Sequence, residues 1–452
     1  MHLHILGICG TFMGGIAALA RAAGHRVTGS DANVYPPMSE QLEALGIDLH
    51  EGYDPSVLEP APDCVVIGNA LSRGNPAVEA VLDRGLPYQS GPEWLARHVL
   101  CDRHVIAVAG THGKTTTASM LAFILEQAGQ SPGFLIGGVP ADFGVTARYG
   151  DSAYFVVEAD EYDTAFFDKR AKFVHYGPRT AVLNNLEFDH ADIYADLDAI
   201  LWQFHQLVRT VPGNGRLLVN AADENLSALL RMGCWTGTER FSIDAAADWR
   251  AEFTDSAGRC ARFSHGDEVA EIEWQLAGSH NLENAVAAVA AAASAGVGLA
   301  RAATALSRFQ GVKRRLEQTA SVAGIRIYDD FAHHPTAIRR TIDGMRRRFP
   351  GERLVVALEP RSNTMKLGIH NDVLADALAG ADEILLYRPA DFDDGIDGAL
   401  SSLGERARVC TDFVSLVVAL RATLKPGDHM IFMSNGGFGG VRQKLTASLA
   451  DA

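Results

Sequence analysis

The chain has 452 residues, more than one hydrophobic core organises, so two or three domains are expected. Apolar residues make up 47% and charged residues 21%, and no apolar run nears the roughly 20 residues that span a bilayer, which sets aside a membrane protein. A net charge of −15 opposes non-specific nucleic-acid binding, which depends on Lys and Arg neutralising phosphates.

The start, His2-Leu-His-Ile-Leu6, has no basic leader and reads as a first strand, which points to a cytoplasmic protein. Gly7, Cys9, Gly10, Thr11 and Gly14 follow it, and Asp31 ends the second strand. The pattern is like a dinucleotide-binding turn, but Cys9 stands where G-x-G-x-x-G requires a glycine, which disfavours NAD. A pyrophosphate still suits the helix N-terminus beyond Gly10. By itself this segment fits an NAD-dependent oxidoreductase and a UDP-sugar binder equally.

Apolar strand-like runs then alternate with helical patterns: HRVTGSD, CVVIGN, HVIAVAG, AYFVVEAD, TAVLNN, IRIYDD, RLVVALEP, EILLYRP and HMIFMSN. Such alternation predicts parallel α/β layers. Breaks near 101–104 and 310–311 divide the chain into residues 1–101, 102–309 and 310–452, with extra strands expected as an insertion at 213–275. Six scattered cysteines have no metal-ligand spacing, so packing thiols are expected, with no structural zinc and no disulfide.

The strongest local feature is HVIAVAGTHGKTTTASMLAFILEQAG, a strand running into Gly110-Thr111-His112-Gly113-Lys114-Thr115-Thr116 and then a helix. Backbone N–H groups there can cradle phosphates, with Lys114 on the β- and γ-phosphates of ATP and the Thr115 hydroxyl on magnesium. Val108 occupies the place of the usual first glycine, so the loop is a shortened variant. Met120, Leu121, Ile124, Leu125 and Ala128 form one apolar stripe on the helix, and Gly129 suits its end.

Glu158 emerges at the carboxyl end of the next strand, where open α/β sheets place ligands, and can hold magnesium against ATP. His190 follows a further strand and could bind a second metal or the reacting phosphoryl group. Each residue alone has a structural explanation, but their arrival at successive strand ends favours phosphoryl transfer assisted by two magnesium ions.

Taken in order, GTHGKTT, EADEYD, NNLEFDHADIY, GSHNLEN, KRRLE and YDDFAHHPT resemble the motifs of the Mur ligase family. The resemblance implies a three-domain α/β fold: a Rossmann-like UDP-sugar domain, a central P-loop ATPase-like domain and a Rossmann-like C-terminal domain that binds the amine substrate and completes the ATP site. It implies an ATP-dependent ligase that makes an amide through an acyl phosphate. His280, Asn281 and Asn284 match its adenine segment, Arg314 or Arg315 its arginine, and Asp330 with His333 or His334 its ribose and phosphate contacts. The turn of Gly7, Cys9, Gly10, Thr11, Gly14 and Asp31 is then expected to hold the UDP-sugar.

GICGTFMGGIA and DDFAHHPT are similar to the branch whose acid substrate is UDP-N-acetylmuramate. LEPRSNTMK, MSNGGFGG and SDANVYPPMS depart from the relatives that add L-alanine and resemble those that add L-alanyl-γ-D-glutamyl-meso-diaminopimelate. Arg361, Asn363 and Lys366 become candidates for that tripeptide's carboxylates, or equally surface-loop residues. Where several relatives carry a carbamylated lysine, fifteen residues beyond His190, this chain has His205, so the second metal is held differently or His205 is an ordinary helix residue. Lys114, Glu158, His190 and Arg315 are thus the expected catalytic groups, completed when the third domain closes. L-Alanine addition, a non-catalytic nucleotide-gated binder and an NAD enzyme are the competing readings.

Overall fold

A computed structural model describes residues 1–35, 38–191, 193–389 and 395–450, without the side chains of Asn363 and Asp397. Every apolar run named above forms a strand, and these strands fall into three sheets.

The first sheet runs Asp48–Glu51, Arg26–Asp31, His2–Leu6, Cys64–Ile67 and Tyr88–Ser90, all parallel. Parallel strands covered on both faces must be apolar throughout, and Cys64–Ile67 is buried at every position. His4 is the polar exception. It is fully buried and keeps its ring satisfied by the hydroxyls of Thr28 at 2.8 Å and Ser30 at 3.1 Å.

The central sheet has ten strands, with His104–Ala109 between Thr180–Leu183 and Tyr154–Ala159. The strands expected at 213–275 are present, but Arg216–Asn220, Thr238–Ser242 and Trp249–Phe253 extend this sheet in parallel rather than forming an insert. Cys260–His265 and Glu268–Glu273 finish it as antiparallel edge strands.

Helix Lys114–Gln127 is buried continuously from Thr115 to Leu125, not on the single stripe that its sequence suggests. The reason lies in a second helix, Ser279–Ala293, whose alanines let it pack closely alongside. Each fully buried Leu or Ile there contributes about 2 kcal/mol, which anchors the start of the helix.

The third sheet runs Glu317–Val322, Ile325–Asp330, His429–Met433, Leu354–Leu358, Glu383–Tyr387 and Ala407–Cys410, parallel apart from the first strand. This unit docks on the central one. Arg348 donates to the carbonyls of Trp274 (2.9 Å) and Gln275 (2.5 Å), and Arg340 pairs with Glu283 at 3.2 Å. From the other side, the Phe12 ring of the first unit lies 4.8 Å from the ammonium of Lys172.

Candidate active site

Strand His104–Ala109 delivers the chain to a loop whose shape depends on glycine. Gly110 has φ +142° and Gly113 +82°, and a Cβ on Gly113 would lie 2.2 Å from Asn284 Oδ1. The loop is braced from the next strand end: Asn185 accepts from the His112 amide at 2.7 Å and its carbonyl accepts from the Thr111 amide at 3.0 Å. Asn184 donates to Thr117 at 2.9 Å, and Thr117 donates to Asn284 at 3.1 Å. Thr116 is buried in the first helical turn.

The Lys114 ammonium donates to the Gly110 carbonyl at 2.5 Å and to Glu161 Oε2 at 2.8 Å. Desolvation alone would lower its pKa, yet the Glu161 carboxylate holds it above the usual lysine value. Glu161 is 2% exposed, and burial alone would raise its pKa; Lys114 and His190 together hold it at about 2. His190 Nε2 lies 3.3 Å from Glu161 Oε1, and against desolvation that contact raises its pKa. Lysine, carboxylate and imidazole thus form one buried chain of contacts.

Thr115 donates to Glu158 Oε1 at 2.8 Å, and Gly137 N–H donates to the other oxygen of Glu158 at 2.6 Å. Hydroxyl and carboxylate side by side are hard oxygen donors, which suits magnesium. Arg315 reaches from the third unit to within 3.3 Å of Thr115 Oγ1, with its guanidinium 4.8 Å over the Phe331 ring. Arg314 instead donates to the carbonyls of Ser434 (2.7 Å) and Gly436 (2.5 Å). The two expected arginines therefore differ in what they face.

His333 bonds the Phe331 carbonyl at 2.9 Å and lines a cavity of about 310 Å³ with Tyr162, Asp189, His190, Arg361, Thr364 and Asn435. Thr364 donates to Asp189 Oδ1 at 3.1 Å, joining the third unit to the central one. Arg361 thus shares this cavity with His190, whereas Lys366 is not among the lining residues and the Asn363 side chain lies outside the described residues. His334 packs instead against His112, ring centroids 4.8 Å apart. Asp330 is buried, accepting from the Ala332 amide at 2.8 Å.

On the helix Ser279–Ala293, Asn281 donates to the Ala277 carbonyl at 2.7 Å, and Asn284 braces the phosphate loop itself. His280 sits at the start of that helix, where burial lowers its pKa to about 3. In the first unit, Gly7 has φ +81°, Gly10 caps helix Thr11–Ala22, and a Cβ on Gly14 would press on Met38 Sδ at 2.8 Å. Asp31 holds this turn by accepting from the Cys9 and Asn33 amides at 2.9 and 3.1 Å. His205 sits in helix Leu197–Thr210, where its Nε2–H donates to the Gly233 carbonyl at 3.1 Å.

Glu161, Glu187 and Asp189 are the groups that sequence reasoning quoted inside motifs without assigning a role. Only Glu161 carried a local signal, as the second acid of EADEYD at the same strand end as Glu158.

A glycine-shaped loop that meets an arginine of a separate unit, beside a cavity lined by Asp189, His190, His333 and Arg361, has the layout of a nucleotide-dependent ligase, and the matches to known families agree. The Mur ligase catalytic domain matches residues 2–101, the Mur ligase middle domain 108–292 and the glutamate ligase domain 314–436. The chain belongs to the Mur ligase family, whose members are ATP-dependent, use magnesium and form amide bonds. It is 54% identical to the UDP-N-acetylmuramate–L-alanyl-γ-D-glutamyl-meso-2,6-diaminoheptandioate ligase of Escherichia coli K12, covering 100% of this chain and 98% of that protein. It also resembles the crystal structure of a murein peptide ligase from Psychrobacter arcticus 273-4, at 48% identity and TM-score 0.78, covering 100% and 99% of the two chains. The UDP-N-acetylmuramate–alanine ligase of Thermotoga maritima shares the fold at 24% identity and TM-score 0.80, over 99% of both chains. Among the described residues no helix is long and apolar enough to cross a membrane.

Proposed function

We propose that this ligase joins the carboxylate of UDP-N-acetylmuramate to the α-amine of L-alanyl-γ-D-glutamyl-meso-diaminopimelate in the cytoplasm, as a step of peptidoglycan recycling. One observation carries the reading: His190 of the central unit and Arg361 of the third line one cavity, so an acyl phosphate formed beside the first would lie near an anionic peptide held by the second. The likeness to the Escherichia coli ligase supports the choice of substrates.

ATP binds over Gly110–Thr116, where the helix N-terminus attracts its phosphates. Lys114 exchanges Glu161 for the β- and γ-phosphates. The UDP moiety lies on the Gly7–Gly14 turn of the first unit. Thr115 and Glu158 would hold one magnesium ion, and His190 would meet a second only after giving up Glu161 and its proton; magnesium there would supply positive charge to the phosphate oxygens. The muramyl carboxylate oxygen attacks the γ-phosphorus in line and ADP leaves. The peptide amine then attacks the acyl carbon, loses a proton and expels phosphate. Arg315 stabilises charge on the transferring group, and the protein accelerates the reaction chiefly by positioning and electrostatics.

The test is phosphate release from ATP and magnesium with UDP-N-acetylmuramate, with the tripeptide or with free L-alanine added. Release with the tripeptide alone is expected. Release with L-alanine alone would move the protein to L-alanine addition, and silence with both would overturn the acid substrate.

A further inference from the structure

Apart from the chain of Lys114, Glu161 and His190, a second cluster of ligating groups sits where the central and third units meet. His112 Nε2 lies 3.5 Å from Glu187 Oε2, and His334 Nδ1 lies 3.9 Å from the same oxygen. The three ligand atoms lie within 4.8 Å of one another. At 3.5 and 3.9 Å these pairs are too long for good hydrogen bonds. Two ligands of a tetrahedral ion bonded at about 2.0–2.1 Å are separated by about 3.3 Å, so small side-chain movements would bring all three onto one ion.

The surroundings leave these groups short of partners. The Nε2 atoms of His112, His334 and the neighbouring His370 are all buried with no hydrogen-bond partner among the described residues. His370 stands edge-on to His334 with ring centroids 4.5 Å apart. Buried polar atoms are ordinarily satisfied, and the orphaned Nε2 of His112 beside the Glu187 carboxylate calls for an explanation. Burial holds His334 neutral, its pKa lowered to about 3, and Glu187 ionised at about 2 despite the desolvation that opposes it, with His112 and Thr336 favouring the charge. Neutral imidazole and carboxylate are the protonation states that ligate metal.

We propose that His112, Glu187 and His334 form a site for a borderline divalent ion such as Zn²⁺ or Co²⁺, complete only when the third unit is docked on the central one. Two imidazoles and one carboxylate suit such ions, whereas magnesium prefers oxygen ligands. His112 belongs to the phosphate loop and Glu187 follows strand Thr180–Leu183, while His334 caps the third unit's helix Pro335–Arg348. The ion displaces one weak contact, the 3.3 Å bond from the Thr336 amide to His334 Nδ1, and the Thr336 hydroxyl remains on Glu187 at 2.8 Å. The site does not depend on which acid or amine the enzyme joins.

The experiment is a Co²⁺ titration of the full chain in excess magnesium with ADP present, read by visible d–d absorption, together with anomalous scattering from Co²⁺-treated crystals. The expected result is one saturable, tetrahedral-type band, with the anomalous peak between the three side chains. Glu187→Gln and His334→Gln each weaken Co²⁺ binding at least tenfold, and His190→Gln retains it. Absence of a saturable band, a peak elsewhere, or a band lost in His190→Gln and kept in Glu187→Gln would overturn the assignment. Crystals of the unsubstituted chain decide the position even where a variant fails to fold.

Discussion

Glu161 and Lys114 form a buried ion pair, 2.8 Å between Oε2 and Nζ, inside the loop built to receive phosphate. In the proposed mechanism the carboxylate occupies the lysine until a phosphate replaces it. Removing one partner of a buried pair leaves a charge uncompensated, so Glu161→Gln should lower stability by about 3 kcal/mol. ATP should restore more stability to Glu161→Gln than to the unsubstituted chain, because its phosphates replace the missing charge. Denaturant unfolding with and without a non-hydrolysable ATP analogue measures both, and equal nucleotide effects in the two proteins would sink the idea.

Lys114→Ala should reduce turnover by at least about 100-fold with the fold intact, because the lysine acts where phosphoryl charge develops. Retained ATP-dependent activity would refute the phosphate-loop assignment. Glu158→Ala should raise the magnesium concentration needed for half-maximal rate, and an unchanged requirement counts against its role.

The neighbouring arginines should separate cleanly. Arg315→Ala removes the guanidinium beside Thr115 and should lower kcat by about 100-fold or more with little loss of stability. Arg314→Ala removes two bonds to carbonyls of the third unit, worth about 1 kcal/mol each, and should appear chiefly in the melting temperature. Exchange of these two phenotypes would show that the ATP-facing arginine is misassigned.

His4 gives a pH dependence whose sign is fixed. Burial lowers its folded pKa to about 3, below the unfolded value of about 6.5. The unfolded chain therefore takes up a proton that the folded one refuses. Stability is full above about pH 6.5 and falls by up to about 1.4 kcal/mol per unit as pH drops below it. By pH 5 the His4→Gln variant should have lost about 2 kcal/mol less than the unsubstituted chain, relative to pH 7.5. Parallel unfolding curves at both pH values would disprove it.

Interior strands such as His104–Ala109 and Leu354–Leu358 were legible because a strand covered on both faces has to be apolar along its length. Tyr88–Ser90, Ala147–Arg148 and Ala407–Cys410 gave no such signal, being short and at sheet edges, where side chains meet water. In the site, the phosphate loop could be read because its strand, glycines and helix are contiguous. Glu161 could not, because its meaning lies in reaching Lys114 and His190, groups brought to it by other strands. Choosing between Arg314 and Arg315 likewise needed the backbone: Arg314 has φ +61°, which turns two successive side chains to different neighbours.

Arg315 of the third unit meets Thr115 of the loop only when the two units are docked. Under the proposed mechanism, a loop parted from its arginine would hold nucleotide but lack the group that steadies the departing phosphoryl charge. Water arriving before the proper acceptors would then find an incomplete machine, and the split would guard ATP against idle hydrolysis.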